Sequence, residues 1–120
     1  MKQLLLIGTG GFVGSILRYG MGVWLLRFSL FPWGTLSVNL IGSLLIGVIV
    51  GSSIKGDQPA YWLLAIGFCG GFTTFSAFAL DGIKLIREDN WIPFLLYVGI
   101  SVVGGLVAVV LGMWLGNKLA

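Results

Sequence analysis

The sequence predicts an all-α membrane protein with four transmembrane helices, and three observations predict it. Of its 120 residues, 58% are hydrophobic and only 9% are charged, with a mean hydropathy of +1.05. A soluble domain carries about 25% charged residues, so an ordinary globular fold is excluded. The apolar residues also fall into four stretches, 4–26, 33–54, 60–80 and 91–115. Each has about 20 residues or more, enough to cross a hydrocarbon core of about 30 Å as a helix. Finally, all five tryptophans fall at span ends: Trp24 ends the first, Trp33, Trp62 and Trp91 open the next three, and Trp114 closes the fourth. An indole there keeps its ring in lipid and its N–H in a wet layer.

The first stretch has no small-residue cleavage site before Arg18 and is too long for a signal peptide, so it is expected to be retained as a span. Arg18 is the only basic residue deep in a span, where a charge costs about 3 kcal/mol or more without a partner or water. Steps of four residues give Gly10, Gly14, Arg18 and Gly22, a face suited to close helix packing. Arg18 is therefore expected to point into protein, as a structural lock that bonds backbone carbonyls or lies near an aqueous vestibule.

In the second span Thr35, Asn39, Ser43, Gly47 and Gly51 recur every four residues and share one face. Asn39 can donate two hydrogen bonds and accept two. Two readings stay open for this stripe: a pore lining, or polar packing between helices at about 0.6 to 2 kcal/mol per contact.

The third span carries FCGGFTTFSAF at 68–78. Gly70 and Gly71, each about 1 kcal/mol worse than Ala in a helix, precede the β-branched pair Thr73 and Thr74. That composition predicts a break in the helix. Non-helical backbone at membrane depth survives only when buried in protein or lining a wet cavity. Carbonyls freed there suit a hard cation; a kink held by threonine hydroxyls is the alternative. Phe75 and Phe78 are neighbours on one face, and a phenyl ring can offer its positive edge to an anion. Packing or contact with lipid is the competing role for each ring.

The fourth span has a small-residue ridge at Gly104, Ala108, Gly112 and Gly116, and beside it a row of Tyr97, Ser101, Gly105 and Val109. Hydroxyls on that row can donate to an anion, or bond the carbonyl one turn back.

Short polar links join the spans, Pro32, Pro59 and Pro93 lie near helix starts, and the chain reads as one domain over 1–120. Histidine is absent and Cys69 is the single cysteine, which excludes a disulfide or zinc framework within one chain. No pair of carboxylates is expected to be buried together, so the chain is not expected to be an enzyme. The excess of seven basic over four acidic residues needs no nucleic-acid partner. Three cations (Lys2, Lys55, Lys118) fall on one side of a four-span chain and three (Arg27, Lys84, Arg87) on the other. A balance so even gives the insertion machinery little instruction, which leaves both orientations open; other signals fixing one of them is the alternative.

The blocks GGFVGSILRY at 10–19, GTLSVNLIGS at 34–43 and GFCGGFTTFSAF at 67–78, in that order, resemble the Fluc (CrcB) family of small fluoride channels over essentially the whole chain. The resemblance implies an antiparallel, dual-topology dimer in the cytoplasmic (inner) membrane, with two fluoride pores along the interface. By the same resemblance, the carbonyls of Gly70 and Thr73 from both subunits would hold a central sodium ion. Phe75 and Phe78 would line the fluoride path, Asn39 would donate into it with Thr74 and Ser76 close by, and Tyr97 and Ser101 would begin a polar track. Arg18 matches the family's arginine on the first helix. Two positions depart from the pattern: Ala77 replaces a threonine, and Gly105 stands where many relatives have a serine. The expected function is passive, selective fluoride export that lowers toxicity, by a homodimer or a pair of non-identical subunits. Two alternatives compete with it. A small multidrug transporter would need a glutamate in the first helix, where Arg18 stands instead. A non-conducting assembly subunit would leave the Asn39 stripe unexplained.

Overall fold

The computed structural model describes residues 1–26 and 31–120; Arg27 and most of the first link lie outside the described residues. We name the elements α1 (Lys2–Leu26), α2 (Trp33–Gly51), α3 (59–72), α4 (Phe75–Arg87) and α5 (Trp91–Leu119). Four stretches, with α3 and α4 counted as one, are long and apolar enough to cross a membrane. No strand occurs among the described residues. The longest dimension, 46 Å, is close to the full thickness of a bilayer with its headgroups, about 40–45 Å. The chain is a multi-pass membrane protein.

The helix limits differ from those read in the sequence. α2 ends at Gly51 rather than 54, because Ser52 is extended and its hydroxyl closes a small turn, donating to Ile49 O at 2.7 Å and accepting from Ile54 N at 3.3 Å. α4 continues to Arg87, with Lys84 and Arg87 in its last turn, where cations favour the negative end of the helix dipole. α5 continues to Leu119. The prolines stand where a missing N–H costs little: Pro32 caps α2, Pro59 opens α3, and Pro93 is in the first turn of α5.

Close backbone approach joins the helices in pairs. A Cβ on Gly10 or Gly14 of α1 would run into the carbonyls of Leu63 and Phe68, while one on Gly71 of α3 would lie 2.6 Å from Gly11 O. α2 and α5 interlock in the same way: a Cβ on Gly47 would strike Val109 O, and one on Gly112 would strike Leu44 O. Without a hydrophobic driving force in lipid, such tight contact supplies the dispersion energy that holds helices together. Buried side chains are few and lie between the helices, in one cluster around Leu36, Leu85 and Tyr97 and another around Ile49, Ala65 and Cys69. Large apolar side chains such as Leu4, Phe12, Val50, Leu95 and Val110 face outward, as lipid contact requires.

Two stretches, Trp62–Cys69 in α3 and Ile100–Gly104 in α5, are wound as π-helix. Both are bounded by glycine, at Gly70 and at Gly99 and Gly105. Such wide turns recur at functional sites, and here they adjoin the polar residues described next.

Candidate functional site

The helical backbone of α3 runs through Gly70, Gly71 and Phe72, and the chain is then extended at Thr73 (φ −91°, ψ 159°) and Thr74 (φ −153°, ψ 118°) before α4 begins. The glycines are thus helical and the threonines are not. Gly71 has the function of a contact residue, fitting against α1, while β-branching favours extended backbone at the threonines.

The side chains and N–H groups at Thr73 and Thr74 have definite partners. Asn39 grips the backbone of Thr74 on both sides of its Cα: its Nδ2 donates to Thr74 O at 3.1 Å and its Oδ1 accepts from Thr74 N at 2.8 Å. Thr74 Oγ1 in turn accepts from Ala77 N at 3.1 Å, capping α4, and lies 3.2 Å from Ser76 Oγ. Thr73 donates both N–H and hydroxyl to Cys69 O, at 3.1 and 2.9 Å. Arg18 reaches across from α1, where Nε donates to Gly71 O at 3.0 Å.

These bonds identify which carbonyls remain open. In a continuous helix Gly70 O would accept from Thr74 N–H and Thr73 O from Ala77 N–H. Those two donors are committed to Asn39 and to the Thr74 hydroxyl. Gly71 O has Arg18 instead. The carbonyls of Gly70 and Thr73 have therefore lost their helical donors. Gly70 is exposed, and a Cβ there would meet nothing within 4 Å.

Asn39, Thr73, Thr74, Phe75, Phe78 and Ser101 line one open groove of about 230 Å³, with Ser43 and Val102 completing its wall. The two phenyl rings stand 5.7 Å apart at 50°. Phe75 is 79% exposed, whereas Phe78 is backed by Tyr97 at 5.2 Å. Ser101 Oγ is buried without a hydrogen-bond partner among the described residues. Of the two fates open to it from sequence, the carbonyl one turn back is not the one adopted; Ser101 lies within the π-helical turn, where the usual i−4 register is displaced.

Not every expected residue reaches the groove. Tyr97 is fully buried behind Phe78 and donates its hydroxyl to Asp81 Oδ2 at 3.1 Å. Ser76 is exposed and touches the groove only through Thr74. Gly70 lines a neighbouring hollow of about 320 Å³ with Cys69, Thr73 and Ser43. Arg18 lines a third, of about 600 Å³, with Thr35, Thr74, Asp81 and Lys84. Thr74 thus borders both the groove and the charged hollow. Sequence reasoning placed Ser43 on the Asn39 stripe without a role of its own, and did not assign Asp81 to the site. Ser43 was signalled by its place four residues after Asn39; Asp81 had the weaker signal of lying three residues after Phe78.

The chain matches the family described as CrcB-like protein, Camphor Resistance (CrcB), over residues 5–113. It is 47% identical to the Fluoride-specific ion channel FluC of Leptospira interrogans serovar Lai, covering 95% of this chain and 94% of the relative. The protein of the same description from Rhizobium johnstonii is 42% identical, with all of both chains covered. That from Azobacteroides pseudotrichonymphae is 40% identical over 93% of this chain and 94% of its own.

Proposed function

This chain belongs to the CrcB family, and on that premise we propose that it is a fluoride-selective channel giving passive export across the cytoplasmic membrane. The observation that carries this reading is the near full-length identity with proteins described as fluoride-specific channels. The groove supports it chemically. Fluoride holds its water tightly, so a conducting path must replace that water with fixed donors that bind well enough to admit the ion and loosely enough to release it. Asn39 has one amide hydrogen beyond the one given to Thr74, and Ser101 has an uncommitted hydroxyl. Edges of Phe75 and Phe78 add a positive rim without a full charge that would trap the ion. A path narrow enough for these contacts rejects the larger chloride.

The channel is an antiparallel dimer with two pores along its interface. Support comes from the balanced cations, from the exposure of the Phe75 ring beside a polar groove, and from exposed Gly70. A second copy would cover both the Phe75 ring and Gly70. The carbonyls of Gly70 and Thr73, doubled by the partner, fit a sodium ion: they are neutral, hard oxygen donors without a helical hydrogen bond. Such an ion would pin the two subunits at the point where each chain leaves its helix. Arg18, held on Gly71 O beside the charged hollow, locks α1 to the end of α3.

Purified protein in liposomes loaded with potassium fluoride tests this reading. Addition of valinomycin should release fluoride, followed with a fluoride electrode, while liposomes loaded with chloride should release little. No fluoride release, or equal release of chloride, would refute it; co-expression with a paralogous subunit checks for a missing partner.

A further inference from the structure

The groove holds a donor to which the channel reading gave no role. Some of its polar groups are already spoken for. The Thr73 hydroxyl is bonded to Cys69 O and its methyl packs over Gly42. The Thr74 hydroxyl caps α4 and is shared with Ser76. Three donors remain: the second amide hydrogen of Asn39, the hydroxyl of Ser101, and the hydroxyl of Ser43, for which no protein partner occurs among the described residues. Ser43 follows Asn39 by four residues on α2, which places it on the same face and about 6 Å further along the axis.

The opposite wall is open at that height. A Cβ on Gly105 of α5 would lie 3.7 Å from Ser43 Oγ, an ordinary contact distance, so the missing side chain leaves space directly in front of the Ser43 hydroxyl. Ser101 stands one turn before Gly105 on the same helix. We infer that Ser43 donates to fluoride in the conduction path, receiving the ion one turn beyond Asn39 and Ser101, at the space that Gly105 leaves unfilled. This inference rests on the channel reading and adds a residue to it. Two donors one turn apart give the multi-site binding that conduction needs, and α2 supplies the hydroxyl that α5 lacks at Gly105.

The test is liposome fluoride efflux with Ser43→Ala, Ser43→Cys and the double variant Ser43→Ala with Gly105→Ser, each first shown to elute as the wild-type assembly. One hydrogen bond to an ion is worth about tenfold or more, so both single variants should lose roughly that much flux. A serine built at Gly105 would point its hydroxyl at the same space, and the double variant should recover most of the loss. Should Ser43→Ala fail to assemble, Ser43→Cys keeps the volume and carries the test, since sulfur is a weak donor. Wild-type flux in the single variants would overturn the inference, as would a loss that Gly105→Ser does not repair, which would assign Ser43 to helix packing. Absence of flux in the wild type would overturn the channel reading instead.

Discussion

Replacing Asn39 by leucine should uncouple the extended threonines from α2. Leucine has a similar volume but makes neither of the bonds, at 3.1 and 2.8 Å, that hold the backbone C=O and N–H of Thr74. Interhelical polar contacts in membranes are worth about 0.6 to 2 kcal/mol, and leaving a buried backbone group unpaired costs about 1–3 kcal/mol. Taking about 1–2 kcal/mol for each bond gives roughly 2–4 kcal/mol for the pair. At 1.4 kcal/mol per tenfold, the held geometry of Thr74 should lose about 30-fold to several hundred-fold in stability against local opening. Hydrogen exchange read at the Thr74 amide should accelerate by that factor, and fluoride efflux should fall with it. Asn39→Asp should be intermediate in exchange, since a carboxylate still accepts from Thr74 N–H, but poorer in flux, since its charge repels the anion. Unchanged Thr74 exchange together with wild-type efflux in Asn39→Leu would refute the reasoning.

Phe75→Ile and Phe78→Ile should each lower fluoride efflux sharply while the proposed dimer survives, because an aliphatic side chain fills the volume without a positive ring edge; wild-type rates in both would argue against the ring-edge path. The helix contacts predict opposite effects from two glycines of α1. A Cβ on Gly10 strikes the Leu63 carbonyl, whereas one on Gly8 meets nothing within 4 Å. Gly10→Ala should thus destabilise by about 1–3 kcal/mol and Gly8→Ala should stabilise by up to about 1 kcal/mol, as read by thermal melting in detergent. Replacing sodium by N-methylglucamine should lower the melting temperature of the assembly, with recovery on returning sodium; melting indifferent to the cation would count against an ion at Gly70 and Thr73.

The span count and the helical class were legible because lipid imposes them on composition: a backbone that must satisfy itself leaves few options for an apolar stretch of about 20 residues. The residues of the site were legible as types, since Asn39, Thr73, Thr74 and Ser101 are polar where leucine would be cheaper. Their partners were not. Periodicity places a side chain on a face of its own helix and says nothing about which neighbour that face meets. It marked Gly70 and Gly71 as weak helix formers, yet tight contact with α1 keeps Gly71 helical and the extended residues are Thr73 and Thr74. It grouped Tyr97 with Ser101, four residues apart, but Phe78 covers the first and leaves the second facing the groove.

By itself, then, the sequence determined that the chain lives in a membrane, where its spans lie, and which letters are too polar or too small to be there for lipid's sake. Tertiary structure decided what those letters do: that Arg18 holds Gly71 O, that Asn39 holds Thr74, and that Ser43 looks across at the empty place of Gly105. The physical reason is one of range. Hydrophobic length and helical period act within a single span, whereas a hydrogen bond between residues 18 and 71 or 39 and 74 exists only once the packing of separate helices has fixed the distance between them.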